Sequence, residues 1–241
     1  MINTPEINAY KNIRLLIGAL GIFLPLLIWL HTGIVWDCWC LQDSISHYFF
    51  TSGNVFFEGI LWILGVVLIY YPAYQNDKKG DKVLTTISGF LAIIVALVPT
   101  NSNSNDTCEL FSIPNNSFRN AIHLISAASM LLIFSYISAF IFTYKNVEQY
   151  NGDNPIKFKL IRNGIYRSCA IITYVSVVTI PILMLWEKSP NFPFSTKYVF
   201  WLEVCAIVPF GISWMVKGGL VFTDKDEKNF FQRLIAKVRR Y

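Results

Sequence analysis

Charged residues are scarce in this chain. They make up 15% of its 241 residues, whereas an ordinary soluble domain has about a quarter. Hydrophobic residues reach 54% and aromatic residues 16%. This balance argues against a soluble domain. It predicts a membrane protein whose Trp and Tyr side chains collect at the two membrane–water interfaces.

The chain also lacks the short motifs that mark several enzyme classes. It has no Walker loop, no dinucleotide-binding glycine fingerprint, no nucleophile elbow and no His-Glu-x-x-His pair. Its basic residues lie in short segments between apolar runs, so the net charge of +5 indicates membrane topology and not a nucleic-acid-binding face. We therefore predict no cofactor and no nucleic-acid partner.

Six apolar runs come close to the roughly 20 residues that a membrane-spanning helix needs. They cover residues 13–30, 53–71, 83–99, 120–144, 168–186 and 198–215. The runs are apolar all round, whereas the strands of a membrane barrel alternate apolar and polar residues. We predict an all-α, polytopic integral membrane protein whose residues 1–223 form a bundle of six transmembrane helices.

The basic residues predict the orientation of this bundle. Seventeen of the 20 lie before the first run, between the second and third, between the fourth and fifth, or after the sixth. Such residues collect on the cytoplasmic side, so both termini are expected there, in a plasma (cytoplasmic) membrane. Residues 224–241 combine apolar residues at helical spacing with basic ones, which predicts an amphipathic tail on anionic inner-leaflet lipids. A homo-oligomer stays open.

The cysteines and an Asn-rich segment characterise the predicted outer loops. Cys38, Cys40 and Cys108 all fall on this oxidising side, which predicts a disulfide from Cys108 to either Cys38 or Cys40. Asn105 and Asn115 begin Asn-x-Ser/Thr sequences, which carry glycans only in a host that modifies them.

Three ionisable residues lie within the apolar runs, where a charge costs about 2.5 to 3.5 kcal/mol on insertion scales. Glu58, His123 and Glu203 each lie roughly 5 to 9 Å below the outer end of their helix, at 1.5 Å per residue. This common depth predicts a shared polar pocket that opens outward. Structural pairing of the His with a Glu, or unrelated interfacial positions, are the alternatives. The first outer loop supplies further candidates to close the pocket: Asp43, Ser44, Ser46 and His47.

The same residues raise the question of a metal. Zinc favours His together with a carboxylate, which would make His47, His123 and Glu203 a conceivable set of ligands. These residues do not form a spaced ligand motif. We therefore predict no metal and keep zinc as a minor alternative.

Ser44-Ile-Ser46 follows the first run, His123 begins the fourth, and Glu203 lies in the last. In this order the chain resembles the six-helix family that includes the damage-regulated autophagy modulators and the GPI-anchor lipid-remodelling proteins. Residues 44–48, 118–123 and 201–218 are also similar to uncharacterised bacterial six-helix membrane proteins. The resemblance implies a six-helix fold and a lipid ligand, and it marks Ser44, Ser46, His123 and Glu203.

These patterns favour a membrane protein that binds or remodels a lipid at the outer leaflet. Ser46 and His47 would contact polar oxygens, and the tentative catalytic set is completed by His123 and Glu203 as an acid–base or hydrogen-bonding pair. Whether the chain is an enzyme stays open.

Two other functions stay open as well. A transporter would use Glu58, Glu203 and Lys217 as coupling groups. Its helices would break at prolines near a midplane site, and the candidates are Pro25, Pro181 and Pro209. The second alternative is a non-catalytic sensor or scaffold that receives a signal at the outer loop and docks a partner through the tail.

Overall fold

A computed structural model of the chain describes residues 5–71, 80–102, 108–143, 150–151, 154–155, 157–187 and 197–221. The regular secondary structure of this part of the chain is helical, apart from a two-residue antiparallel pairing of β1 (Tyr150–Asn151) with β2 (Asn154–Pro155). The all-α class is therefore confirmed. The predicted amphipathic tail, residues 224–241, and the acceptor Asn105 lie outside the described residues.

The described chain forms six α-helices: α1 (Pro5–Trp36), α2 (Asn54–Ile69), α3 (Asp81–Leu97), α4 (Ser117–Tyr136), α5 (Lys157–Trp186) and α6 (Tyr198–Lys217). A π-helical turn, Ile137–Ile141, extends α4, and a 3-10 turn, Ser46–Phe50, lies between α1 and α2. Two helices, α1 and α5, begin well before the apolar runs that predicted them. The runs mark only the apolar part of a helix, and both helices continue into polar, basic residues at their N-terminal ends.

Four of these helices are long and apolar enough to cross a membrane, over Ala9–Trp36, Ser117–Ile141, Phe158–Trp186 and Tyr198–Lys217. The apolar helix α2 has 16 residues, which is about 24 Å of helix. The helix α3 has 17 residues and buries Thr85 and Ser88. The four long helices are compatible with an integral membrane protein.

The helices pack in a ring in chain order, each against the next, and α6 closes the ring against α1. Glycines allow two of these contacts to be very close. A Cβ atom on Gly211 of α6 would lie 2.6 Å from the carbonyl oxygen of Gly18 on α1. A Cβ on Gly89 of α3 would lie 2.6 Å from the carbonyl oxygen of Gly65 on α2. The backbones of these pairs therefore touch.

The three prolines proposed to break helices for a transporter do not do so. Pro25, Pro181 and Pro209 each lie inside a continuous helix. Proline removes one backbone hydrogen bond, and neighbouring helices in a bundle tolerate the loss. The predicted discontinuous helices are therefore wrong at these positions.

A disulfide joins the loop after α1 to the segment before α4. It links Cys38 to Cys108, so the predicted bridge is confirmed, with Cys38 as the partner. Beside it, the Leu110 backbone N–H donates a 2.8 Å hydrogen bond to the Phe50 carbonyl oxygen. The third cysteine, Cys40, is an exposed free thiol. The bridge fixes the loop that carries the candidate site.

Candidate functional site

The centre of the site is a hydrogen-bonded pair, Ser46 and His123. The Nε2 atom of His123 lies 2.8 Å from the Ser46 Oγ atom, and its Nδ1 atom lies 2.6 Å from the carbonyl oxygen of Val98. A carbonyl oxygen can only accept a hydrogen bond, so Nδ1 carries a proton. No carboxylate bonds the ring among the described residues, so we assign the neutral form, in which Nε2 accepts from the Ser46 hydroxyl. The arrangement places a base, the imidazole, beside a hydroxyl. The Val98 carbonyl fixes the orientation of the ring through its other nitrogen.

The two partners differ in access. His123 is buried, with 1% of its surface exposed, whereas Ser46 is partly exposed at the start of the 3-10 turn. Ser46 is therefore the partner that lies nearer the surface, and the buried imidazole contacts its hydroxyl from the protein side. This arrangement is compatible with a hydroxyl that binds a ligand or reacts.

The Val98 carbonyl is positioned by a residue one turn before the histidine. Asn120 and His123 are three residues apart on α4, so they share a helix face. The Asn120 Oδ1 atom accepts hydrogen bonds from the Thr100 hydroxyl (2.7 Å) and the Asn101 backbone N–H (3.2 Å). The segment that follows α3 is thus tied to α4 beside the imidazole.

Arg119 adds to this connection. Its Nε atom donates a 3.2 Å hydrogen bond to the carbonyl oxygen of Pro99, and its own backbone N–H donates to the N-cap Asn116 side chain. In the sequence, Arg119 is one of the three basic residues that fall outside the segments predicted to be cytoplasmic. That isolated position, next to Asn120 and near His123, was the available signal for this role.

Glu203 supports the serine from the opposite side. Its Oε2 atom accepts a 2.5 Å hydrogen bond from the backbone N–H of Ile45, which directly precedes Ser46 in the chain. Helices α4 and α6 therefore hold two consecutive residues of one loop. The predicted direct pair of His123 with Glu203 is not formed, because this loop lies between the two side chains.

The other predicted loop residues fix the backbone. The Asp43 carbonyl oxygen accepts a 3.0 Å hydrogen bond from the Phe200 N–H, in the first turn of α6, and its carboxylate forms a 2.8 Å salt bridge with Lys197. The Ser44 hydroxyl oxygen accepts from the His47 N–H at 3.1 Å. Asp43 thus satisfies a donor that a helix start leaves without an intrahelical partner. Together these contacts dock the loop on α6.

The two remaining candidates, His47 and Glu58, differ in how close they lie to the Ser46–His123 pair. His47 lies near enough to His123 for a charge on one ring to act on the other. Glu58 is half-buried on α2 and forms no hydrogen bond or ion pair with any described residue. Of the three residues predicted to share a pocket, His123 and Glu203 contact neighbouring residues of the same loop. Glu58 forms no bond with either of them.

A zinc ion at this site would need ligand atoms that are not already engaged. Both ring nitrogens of His123 are already engaged, by Ser46 and by Val98. Among the described residues, the group of metal-ligand type whose donor atoms lie within 4.8 Å of one another is Cys38, Cys40 and Cys108. A metal at His47, His123 and Glu203 would have to displace the hydrogen bonds that define the site.

Comparisons with protein-family models, curated proteins and solved structures found no match for this chain. The resemblance of its motifs to the six-helix lipid-remodelling family stays a prediction. What the site can do follows from its own geometry.

Proposed function

We propose that this chain is a six-span protein of the cytoplasmic membrane that binds or remodels a lipid at the outer leaflet. The observation that carries the proposal is the chain of contacts from the Ser46 hydroxyl through the His123 imidazole to the Val98 carbonyl. A hydroxyl, a base bonded to it, and a third group that orients the base are the recurring parts of acyl-transfer sites.

The chemistry that this arrangement supports is attack on a carboxylic ester. The Ser46 oxygen would bond to the ester carbonyl carbon while His123 Nε2 takes the hydroxyl proton. His123 would return that proton to the departing alcohol, leaving an acyl-serine. Water, deprotonated by the same nitrogen, would then release the acid and restore the serine. A lipid acyl ester supplies such a carbonyl near a membrane interface.

The third group sets the expected strength of this base. In the familiar triad a carboxylate stabilises the imidazolium that forms, whereas here a neutral carbonyl oxygen accepts from Nδ1. A carbonyl orients the ring and fixes its tautomer but supplies less charge stabilisation. We therefore expect slow turnover or stable lipid binding.

The position of the site in the bundle supports a lipid as the ligand. Ser46, His123 and Glu203 all lie near the end where α4 and α6 begin, which the distribution of basic residues predicts to be outside. The loop residues 31–52 contain no Lys or Arg, so anionic phosphate is not the group favoured here. The short helices α2 and α3 would also cross the membrane, because they pack in the ring between α1 and α4.

Native mass spectrometry of the full chain in mild detergent tests the proposal. We expect a retained lipid mass, or an acyl adduct, in the parent protein, and its loss in Ser46→Ala and His123→Gln. Ser44→Ala is the matched control, because the Ser44 hydroxyl contacts the backbone of the turn and not the imidazole. Identical spectra from all four proteins would contradict the proposal.

A further inference from the structure

Three cysteine sulfur atoms meet where the loop after α1 is tied to the segment before α4. Cys38 is bonded to Cys108, and the Sγ atom of Cys40 lies within 4.8 Å of both bonded sulfur atoms. The cysteines differ in access, because Cys108 is buried with 4% exposure, whereas Cys40 is an exposed free thiol. A free thiol beside a disulfide is the arrangement that thiol–disulfide exchange requires. We name these three residues the cysteine cluster.

Trp39, the residue between Cys38 and Cys40, is held against α1. Its carbonyl oxygen accepts a 3.2 Å hydrogen bond from the Trp29 Nε1–H, and the two indole rings meet edge to face with their centroids 5.4 Å apart. The Trp39 ring also covers Gly33, where a Cβ atom would collide with it. Because the residue between them is anchored, we expect both cysteines to stay beside the bridge.

A tight turn at the end of α1 fixes the chain just before this segment. Asp37 has a φ of 50°, in the left-handed region, which aspartate adopts more readily than most residues other than glycine. The Cys38 backbone N–H donates a 3.4 Å hydrogen bond back to the Thr32 carbonyl oxygen in α1. The position of Cys38 therefore follows from the backbone as well as from the disulfide.

The segment that carries Cys108 is held by the 3-10 turn before α2. The Leu110 backbone N–H donates a 2.8 Å hydrogen bond to the Phe50 carbonyl oxygen. The Phe111 ring packs edge to face on Phe49 and Phe50, with centroid distances of 6.0 and 5.7 Å. These contacts do not depend on the bridge, so we expect Cys108 to keep its place when its bonded partner changes.

The distance that Cys40 must cover to form the bridge is short. Bonded sulfur atoms lie about 2.0 Å apart. The Cys40 sulfur, within 4.8 Å of the Cys108 sulfur, must therefore approach it by about 3 Å at most. Rotation of a cysteine side chain from one staggered χ1 rotamer to another moves its sulfur by about 3 Å. Side-chain rotation can thus bring the two sulfurs together without a large movement of the backbone.

We propose that the cysteine cluster is a thiol–disulfide exchange site, in which the bridge moves between Cys38–Cys108 and Cys40–Cys108. Cys40 loses its proton to water, and its thiolate bonds to the Cys108 sulfur. The Cys38–Cys108 bond breaks, and Cys38 leaves as a thiolate that takes a proton from water. One disulfide replaces another, so the step needs no oxidant or reductant. The exchange moves the attachment of the loop two residues closer to Ser46. This inference is independent of the proposed lipid chemistry at that serine.

Disulfide mapping of the full chain in mild detergent tests the inference. The parent protein is incubated at about pH 8 and then acidified, which stops exchange because only the thiolate attacks. The free thiols are alkylated with N-ethylmaleimide, and cleavage after Trp39 separates Cys38 from Cys40. We expect two forms of the protein: a Cys38–Cys108 bridge with alkylated Cys40, and a Cys40–Cys108 bridge with alkylated Cys38.

Two variants separate exchange within the cluster from exchange with other thiols. Cys40→Ser removes the attacking thiol, so we expect complete loss of the form with alkylated Cys38. Cys205→Ser removes an exposed thiol of α6 that lies outside the cluster, and it should leave the ratio of the two forms unchanged. A single Cys38–Cys108 form in the parent would overturn the inference. Bridging of Cys38 to Cys40, or alkylated Cys38 in Cys40→Ser at the parental level, would overturn it as well.

Discussion

Replacing Glu203 tests how α6 holds the loop that carries Ser46. In the parent, the carboxylate on α6 accepts the Ile45 N–H at 2.5 Å, and Ile45 is buried with 2% exposure. Glu203→Leu keeps an apolar stem of similar length and leaves that donor without its acceptor. An unsatisfied buried donor costs about 1 to 3 kcal/mol. Glu203→Gln keeps an oxygen acceptor without the charge and should cost less.

The rate of amide hydrogen exchange reports this free energy. A loss of about 2 kcal/mol in the opening free energy of the loop accelerates exchange of the Ile45 amide roughly thirtyfold. Hydrogen-exchange mass spectrometry on peptides that cover residues 41–50 measures this rate. We expect the order parent, Glu203→Gln, Glu203→Leu, from slowest to fastest exchange.

Glu58→Gln provides the matched control for this experiment. Glu58 is also a glutamate in an apolar helix, but it forms no hydrogen bond with the described residues. Its replacement should leave exchange in residues 41–50 unchanged. The reasoning is refuted if Glu203→Leu exchanges at the parental rate, or if Glu58→Gln accelerates exchange as much.

Two further predictions concern the framework around the site. In Cys38→Ser we expect Cys40 to form the bridge with Cys108 in its place, because the sulfur atoms of the three cysteines lie within 4.8 Å of one another. Peptide mapping after alkylation detects this bridge, and alkylation of both remaining thiols would contradict it. Gly211→Ala should destabilise the protein by about 1 to 3 kcal/mol through overpacking of α1 against α6. Gly164→Ala, which meets nothing within 4 Å, should leave the unfolding temperature equal or higher, and equal losses in both variants would refute the close-packing argument.

The sequence predicted the helical class and the disulfide because both depend on patterns that are visible in one dimension. Apolar runs mark the interior of each helix, and cysteines on one predicted side mark a bridge. The ends of α1 and α5 were missed by several residues, since polar residues extend these helices without changing the hydropathy pattern.

Within the site, the sequence identified the side chains but not how they are connected. His123 and Glu203 stood out because ionisable groups are costly in apolar helices. The Val98 carbonyl could not be identified, because every residue has a carbonyl and no residue type marks this one. The contact of Glu203 with a backbone N–H was missed for the same reason, since the side chain alone suggested His123 as its partner.

We propose that the Ser46 hydroxyl is a reactive group that His123, 2.8 Å away, activates. Labelling of the full chain with a fluorophosphonate probe, followed by peptide sequencing of the adduct, tests it most directly. We expect an adduct on Ser46, and we expect His123→Gln to slow its formation by at least about a hundredfold, the lower range for loss of a general base. Labelling of Ser44 should not occur. An unlabelled Ser46, or labelling at the same rate in His123→Gln, would contradict activation of Ser46 by His123.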